Sequence, residues 1–505
     1  MTLLLGIDIG TSSAKSILYD VDTQQVMAVT GADYAIQQPQ PGYAEQDPDI
    51  YWNATQNTVQ RVLAGVDRKR IQAIGITGQM HGTLLIDAAH RPLHPAIIWA
   101  DQRTANTVPQ MIERIGAARY AAIAGTLPAA GFMGATLVWL RQHQPRLIEQ
   151  AAVVILPKDY VRLQLTGEVT TDISDAASTG LLDVVAGRWS DVLLSAFDLP
   201  TELFPPILSS QAQAGQLTVS AGEALGLSAG IPVATGCADQ PAQAISNDII
   251  TPGRASITIG TGGQVFLPVL ADADGHLPTD ARLHTFNHAA PATWYHLGAI
   301  LAAGLALRWL RGVTGLPQDG QGYATLSAEA QQTAPGASGL LFLPYLMGER
   351  TPHMDAHARG GFIGLGLHHQ RGHLARAVME GVALALRQVL TIALADQPAP
   401  AMLIGSGGAM TSSVWPQIVA DVLDAPLRPS LQPEQTALGA AVLAGVCVGV
   451  WPTVADGAAH VARYGDPVLP IATHRARYDD LYAQFTGLYP TLKADFHRLS
   501  ATPND

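Results

Sequence analysis

The chain reads as an α/β protein of two domains, and three observations support this. A glycine-threonine turn near the N-terminus, Ile9-Gly10-Thr11-Ser12, returns about halfway along as Ile259-Gly260-Thr261-Gly262. The 505 residues exceed what one hydrophobic core usually supports, so two large cores are expected. The composition, 48% hydrophobic and only 14% charged with 49 glycines, is that of a well-packed enzyme rather than a disordered chain. The repeated turn marks a duplication, one copy per domain. It places the boundary near residue 250, giving domains at 1–250 and 251–490 and a tail at 491–505.

The elements follow from pattern. Residues 3–9, the Gly-Thr-Ser turn and residues 14–19 form a hairpin. A β-branched run at 71–77 delivers the turn Gly78-Gln79-Met80-His81-Gly82, and a second run follows at 83–86. Helical spacing predicts helices at 110–124 and 137–144, the second ended by Pro145. Residues 231–235 form a buried strand that ends in Gly236-Cys237-Ala238-Asp239-Gln240 and runs into an Ala- and Ile-rich helix, a geometry that aims a carboxylate into a cleft. In the second half, 374–394 is a long helix. The glycine turn Gly405-Ser406-Gly407-Gly408-Ala409 precedes a helix capped by Ser412 or Ser413, with Pro416 in its first turn.

Charge and cysteine content exclude several classes. The net charge of -12, from 29 basic and 41 acidic residues without a basic block, argues against nucleic acid or an anionic membrane as partner. Cys237 and Cys447 are too few for a disulfide framework or zinc site, which fits a reducing cytoplasm. The start lacks a basic leader and meets Asp8 within its apolar run, so it reads as a strand. Residues 436–455 carry no charge over a length that could cross a bilayer, but their small residues and Pro452 mark a buried helix.

Phosphoryl transfer needs amide donors around phosphates, a carboxylate for magnesium and a base near the acceptor hydroxyl. The turns Gly10-Thr11-Ser12 and Gly260-Thr261-Gly262 can clasp phosphates of ATP from opposite domains, and Gly407, Gly408 and Ala409 let a flat anionic ligand approach backbone amides. Asp8 can hold Mg2+ directly or through water. Asp239, at a helix N-terminus that keeps it ionised, is the candidate general base. Each feature also has a structural reading: a plain hairpin turn for the glycines, a helix N-cap for Asp239, a backbone-bonded loop histidine for His81. His284 and His288 lack a third ligand and are assigned to structure. No Gly-x-x-x-x-Gly-Lys-Ser/Thr element occurs.

Read together, these residues resemble the FGGY carbohydrate kinase family, which includes glycerol, gluconate, ribulose and xylulose kinases. The most specific stretch is Gly360-Gly361-Phe362-Ile363-Gly364-Leu365 followed by His373-Leu374-Ala375-Arg376-Ala377-Val378-Met379-Glu380, and Gly6-Ile7-Asp8-Ile9-Gly10-Thr11-Ser12 and Trp99-x-Asp101-x-Arg103 agree with it. Within the family the xylulose-specific branch is most similar. It is carried by Gly78-Gln79-Met80-His81-Gly82, Leu156-Pro157-Lys158-Asp159-Tyr160, Asp172-Ile173-Ser174-Asp175-Ala176-Ala177 and Leu343-Pro344-Tyr345-Leu346-Met347-Gly348-Glu349-Arg350-Thr351-Pro352-His353. The resemblance implies two actin-like (ribonuclease-H-like) domains with ATP and sugar in an interdomain cleft. It also implies a sugar site formed by Gln79, Met80, His81, Asp239 and Gln240, and transfer to D-xylulose in xylose catabolism. A homodimer is compatible with this, and another sugar of the family or a non-catalytic actin-like ATPase are the rival readings. The chain departs from the family at Thr136, where lysine is usual, and at Ser406, which interrupts the adenosine-side glycine run.

Overall fold

The computed structural model describes residues 2–395 and 397–501. The chain divides into two compact units, Met1–Ile250 with Leu270–Tyr295 and Gln432–Ala462, and Thr251–Val269 with His296–Leu431 and Arg463–Asp505. The first segment of the first unit ends at Ile250, and two later segments fold back into that unit. The stretch 491–501 ends the helix Arg475–Ala501, in which Phe496 is buried, rather than forming a detached tail; the rest of that expected tail, 502–505, lies outside the described residues.

In the first unit the strand Leu3–Ile9, buried at all seven positions, is central. It pairs antiparallel with Ser13–Asp20, which pairs antiparallel with Gln25–Asp33. On its other side lies Ile71–Gly78, parallel to it, followed by Pro232–Ala234, also parallel. A strand covered on both faces must be apolar along its whole length, which is why Leu3-Leu4-Leu5 lacks the alternation of a half-exposed strand. The second unit repeats the plan. Arg254–Ile259 pairs antiparallel with Gly263–Val269 and parallel with Met402–Ser406, which is parallel to Leu427–Pro429. The duplication inferred from the two Gly-Thr turns thus extends to strand order and direction.

One helix fixes the first unit. Gln435–Cys447, the core of the uncharged stretch, is buried continuously from Ala437 to Gly445. Its backbone lies against the sheet: a Cβ at Gly6 would stand 2.0 Å from Ala437 O, and one at Gly75 1.8 Å from Ala440 O. On its other side a Cβ at Gly439 would stand 1.9 Å from Ala242 O, in the helix Asp239–Ser246. The small residues of this helix serve backbone-to-backbone packing, and a bilayer is not needed to explain them. Arg371–Leu394 is, among the described residues, the helix long and apolar enough to cross a membrane, and it is buried along most of its length in the second unit.

The second half of the most specific stretch, His373 to Glu380, lies on that helix and is structural, while Gly361–Ile363 is a short strand ahead of it. Arg376 Nε donates to Glu380 Oε1 at 2.7 Å, and Tyr478 Oη at 2.8 Å and Gly336 N at 2.9 Å donate to the same oxygen. Burying this carboxylate is tolerable because three donors satisfy it. Two helix expectations are amended. The span 110–124 is two helices, Thr107–Ile115 and Ala117–Ala124, broken at Gly116, and the next helix begins earlier than expected, as Met133–His143.

Gly75→Ala is expected to cost at least 3 kcal/mol, roughly the upper end of overpacking penalties, because backbone atoms cannot make room for the methyl group. Urea unfolding of the purified variant measures this; an unchanged midpoint would contradict the packing described.

Candidate active site

Parallel strands deliver whatever follows them to one edge of a sheet. In the first unit Ile9 and Ala238 both lie opposite Gly78, so the ends of Leu3–Ile9, Ile71–Gly78 and the short strand Cys237–Ala238 are side by side. That edge gathers Asp8, the turn Gly10-Thr11-Ser12, the segment Gln79-Met80-His81 and the pair Asp239-Gln240, which are far apart in sequence.

Asp239 is the first residue of the helix Asp239–Ser246, with Ala238 as N-cap, so the N-cap reading of its side chain does not hold. Its Oδ1 is buried without a partner, as is Oδ1 of Asp8, whereas Asp8 Oδ2 accepts from Thr436 Oγ1 at 2.5 Å. Burial, and then the charge of Asp8, push the Asp239 carboxyl up to about 7. Burial likewise raises Asp8 to about 6, against the Thr436 hydrogen bond and the charge of Lys15. The expectation that the helix N-terminus keeps Asp239 fully ionised is therefore corrected: the backbone amides do lower it, but desolvation and a like charge outweigh them. A carboxylate poised near neutrality can accept a proton and later release it.

The first glycine turn is held from behind. Tyr34 Oη donates to Gly10 O, Gln46 Nε2 to Thr11 O at 2.8 Å, and the Tyr34 amide to Ser12 O at 2.9 Å. Its carbonyls are occupied and the Gly10 amide donates to Ser13 O at 3.0 Å, so the Thr11 and Ser12 amides are the ones that face a ligand. Gln79, only 1% exposed, is part of this support: its amide donates to Ile9 O and its Nε2 to Gln46 Oε1, leaving Oε1 as its one unpartnered side-chain atom. Met80 is buried and supplies apolar surface. His81 has φ of 72°, a strained backbone for a non-glycine residue, and its ring stacks on Phe132 at 3.8 Å. Its Nδ1 lies 2.6 Å from Ser178 O, which can only accept, so Nδ1 carries the proton and Nε2 is the acceptor nitrogen.

Three contributors went unassigned in the sequence. Trp99, 39% exposed, donates from Nε1 to Thr11 Oγ1 at 2.8 Å; an exposed tryptophan opening the Trp-x-Asp-x-Arg segment was the available signal. The others are Thr436 and the ion pair Lys15–Glu434 at 2.7 Å, with Lys15 directly across the hairpin from Asp8. Nothing in local pattern links residues 8 and 436. Thr136 is fully buried in Met133–His143 and serves packing. His288 is buried, and its imidazole is pushed down to about 4, while His284 Nδ1 pairs with Thr126 Oγ1, in keeping with structural roles.

In the second unit a cavity of about 600 Å³, a size suited to a nucleotide, is lined by Gly260, Thr261, Gly408 and Ala409 together with Tyr323 and Trp415. Gly262 and Gly407 shape it without lining it. Gly407 has φ of 85°, and a Cβ there would stand 2.4 Å from Ile259 O. Ser406 is accommodated because its hydroxyl pairs with Thr258 Oγ1 at 2.8 Å within the sheet. The N-cap of the helix Trp415–Leu423 is Val414 rather than Ser412 or Ser413, although Ser412 Oγ, two residues ahead of it, accepts from Val414 N and Trp415 N.

A duplicated α/β unit, with an acid pair at a sheet edge of one copy and a glycine-lined nucleotide-sized cavity in the other, defines a two-domain small-molecule kinase. The chain belongs to the FGGY family of carbohydrate kinases: residues 3–246 match the family's N-terminal domain and residues 255–448 its C-terminal domain. It is 37% identical over 421 residues to a xylulose kinase of Escherichia coli (strain K12), covering 83% of this chain and 84% of that one. A glycerol kinase of Bordetella parapertussis is 32% identical over 490 residues, 94% of each chain. The crystal structure of xylulose kinase from Rhodospirillum rubrum superimposes with a TM-score of 0.90 at 31% identity, covering 98% of this chain and 100% of that one.

The raised Asp239 value has a consequence for stability. Between an ordinary aspartate value near 4 and the folded value of about 7, the folded state keeps a proton that the unfolded state has released. This contribution is fully present below pH of about 4 and is lost as pH rises to about 7. Asp239→Asn is therefore expected to raise the thermal unfolding midpoint at about pH 8, with the gain shrinking toward pH of about 5. Calorimetry at both values checks this; a lower midpoint at pH of about 8 would contradict it.

Proposed function

We propose that this carbohydrate kinase transfers the terminal phosphoryl group of ATP to the terminal hydroxyl of an open-chain pentulose, D-xylulose, with Asp239 as general base. The observation that carries the proposal is the partnerless, buried Oδ1 of Asp239 beside a second such carboxylate oxygen on Asp8. Met80 and the indole face of Trp99 offer apolar surface to the carbons of the ketose, while His81 Nε2 and Gln240 bind and orient its hydroxyls. Gln79 supports this wall mainly from within. Asp239 takes the hydroxyl proton as the oxygen attacks phosphorus, and ADP leaves.

ATP is assigned to the cavity around Gly260, Thr261, Gly408 and Ala409, with Gly262 and Gly407 holding its shape, and the Thr11 and Ser12 amides of the first unit are donors suited to a phosphoryl group. The donor set fits a magnesium ion, since Asp8 Oδ1 is an orphaned hard ligand and Mg2+ binds through few carboxylates while keeping several waters. When bound, the ion would neutralise phosphate charge. Xylulose rather than another sugar is favoured by the Gln79-to-Gly82 turn and by the higher identity to the xylulose kinase than to the glycerol kinase.

ADP release across a panel of ketoses, polyols and sugar acids tests the substrate. The highest kcat/KM is expected for D-xylulose; a higher value for ribulose, glycerol or gluconate, or release that ignores the sugar, would overturn it. For the metal role, Asp8→Ala is expected to raise the magnesium requirement, with excess magnesium rescuing only part of the rate. An unchanged magnesium dependence would count against Asp8.

A further inference from the structure

Two segments singled out in the sequence, Leu156-Pro157-Lys158-Asp159-Tyr160 and Asp172-Ile173-Ser174-Asp175, are not used by the chemistry above. They meet in the core of the first unit. Lys158 is fully buried, and its Nζ lies 2.7 Å from Asp159 Oδ1, 3.0 Å from Asp172 Oδ1 and 3.1 Å from Asp175 Oδ2. Arg162, also fully buried, donates from Nη1 to Asp159 Oδ1 at 2.8 Å and to Thr235 O at 2.9 Å. Burial, with the charges of Asp172 and Asp159 adding to it against the pull of Lys158, pushes the Asp175 carboxyl well above the ordinary range. So many buried charges are costly and offer little net stability compared with apolar packing, which calls for another reason to hold them.

The cluster's hydrogen bonds lead to both catalytic segments. Asp172 Oδ2 accepts from Ser174 Oγ at 2.6 Å and from Ser210 Oγ at 3.0 Å, and Ser174 Oγ in turn accepts the amide of Ala238, the residue before Asp239, at 3.1 Å. At the other end of the short helix Ile173–Ser178, Ser178 Oγ lies 3.3 Å from the His81 amide and Ser178 O accepts from His81 Nδ1. One element is thus bonded to the turn that presents Asp239 and to the strained residue that presents an imidazole.

We propose that Ile173–Ser178, clamped by the Lys158 ion cluster, is a shared platform that sets Asp239 and His81 in register, with Ser174 the positioning residue for the first and Ser178 for the second. This rests on the role of Asp239 proposed above. A side chain held to a fraction of an ångström by a rigid, fully bonded support transfers protons far better than a loosely held one, whereas a looser His81 weakens sugar binding more than turnover.

Steady-state kinetics on the full chain test this. Ser174→Ala is expected to lower kcat on the order of 10-fold to 100-fold with little change in the ketose KM. Ser174→Thr, which keeps the hydroxyl, should restore most of the rate. Ser178→Ala should raise the ketose KM several-fold with a much smaller effect on kcat. In an Asp239→Asn background Ser174→Ala should cost nothing further, because it acts through a base already removed. Equal and additive losses in both backgrounds, or losses in kcat and KM that merely track a lowered unfolding midpoint, would overturn the platform while leaving the base intact. An Asp239→Asn protein with normal turnover would instead remove the base itself.

Discussion

The first unit depends on a backbone contact that only glycine permits. Gly6 on the central strand and Gly75 on its parallel neighbour let the helix Gln435–Cys447 lie directly on the sheet, and Gly439 lets the helix that begins at Asp239 lie on the opposite side of it. The consequence is chemical as well as structural. Beside the glycine contacts the layers pack through Ala441 and Ala444, and Thr436 from the same helix reaches Asp8.

Dry carboxylates are expensive, and the unit handles them in two ways. In the Lys158 cluster Asp159, Asp172 and Asp175 all face a cation. At the sheet edge Asp8 and Asp239 each keep one oxygen unpartnered, and both titrate near neutrality. Stability is sacrificed at both places, at the sheet edge for reactivity and at the cluster for a frame that must not move.

Much of this was legible in the sequence because it is local. The paired Gly-Thr turns marked a duplication that the strand order repeats, and the strand-turn-helix around residue 239 put its carboxylate at an edge. What escaped is non-local. No pattern shows that Leu270–Tyr295 and Gln432–Ala462 return to the first unit, that Thr436 bonds Asp8, or that Lys158 reaches Asp172 and Asp175. The state of Asp239 was misjudged because the helix N-terminus is visible in the sequence while desolvation is not. The most specific motif, around Arg376 and Glu380, identifies the family yet ties helices together through Tyr478, so specificity of a motif and closeness to the chemistry are separate matters.

The central claim is that Asp239 takes the proton of the acceptor hydroxyl. Equilibrium binding of D-xylulose combined with single-turnover transfer from ATP in Asp239→Asn separates holding the sugar from activating it. The account predicts a dissociation constant close to that of the unsubstituted protein and a transfer rate lower by about 100-fold to 10,000-fold, the range a general base contributes. Transfer at the normal rate, or a loss confined to sugar binding, would contradict it.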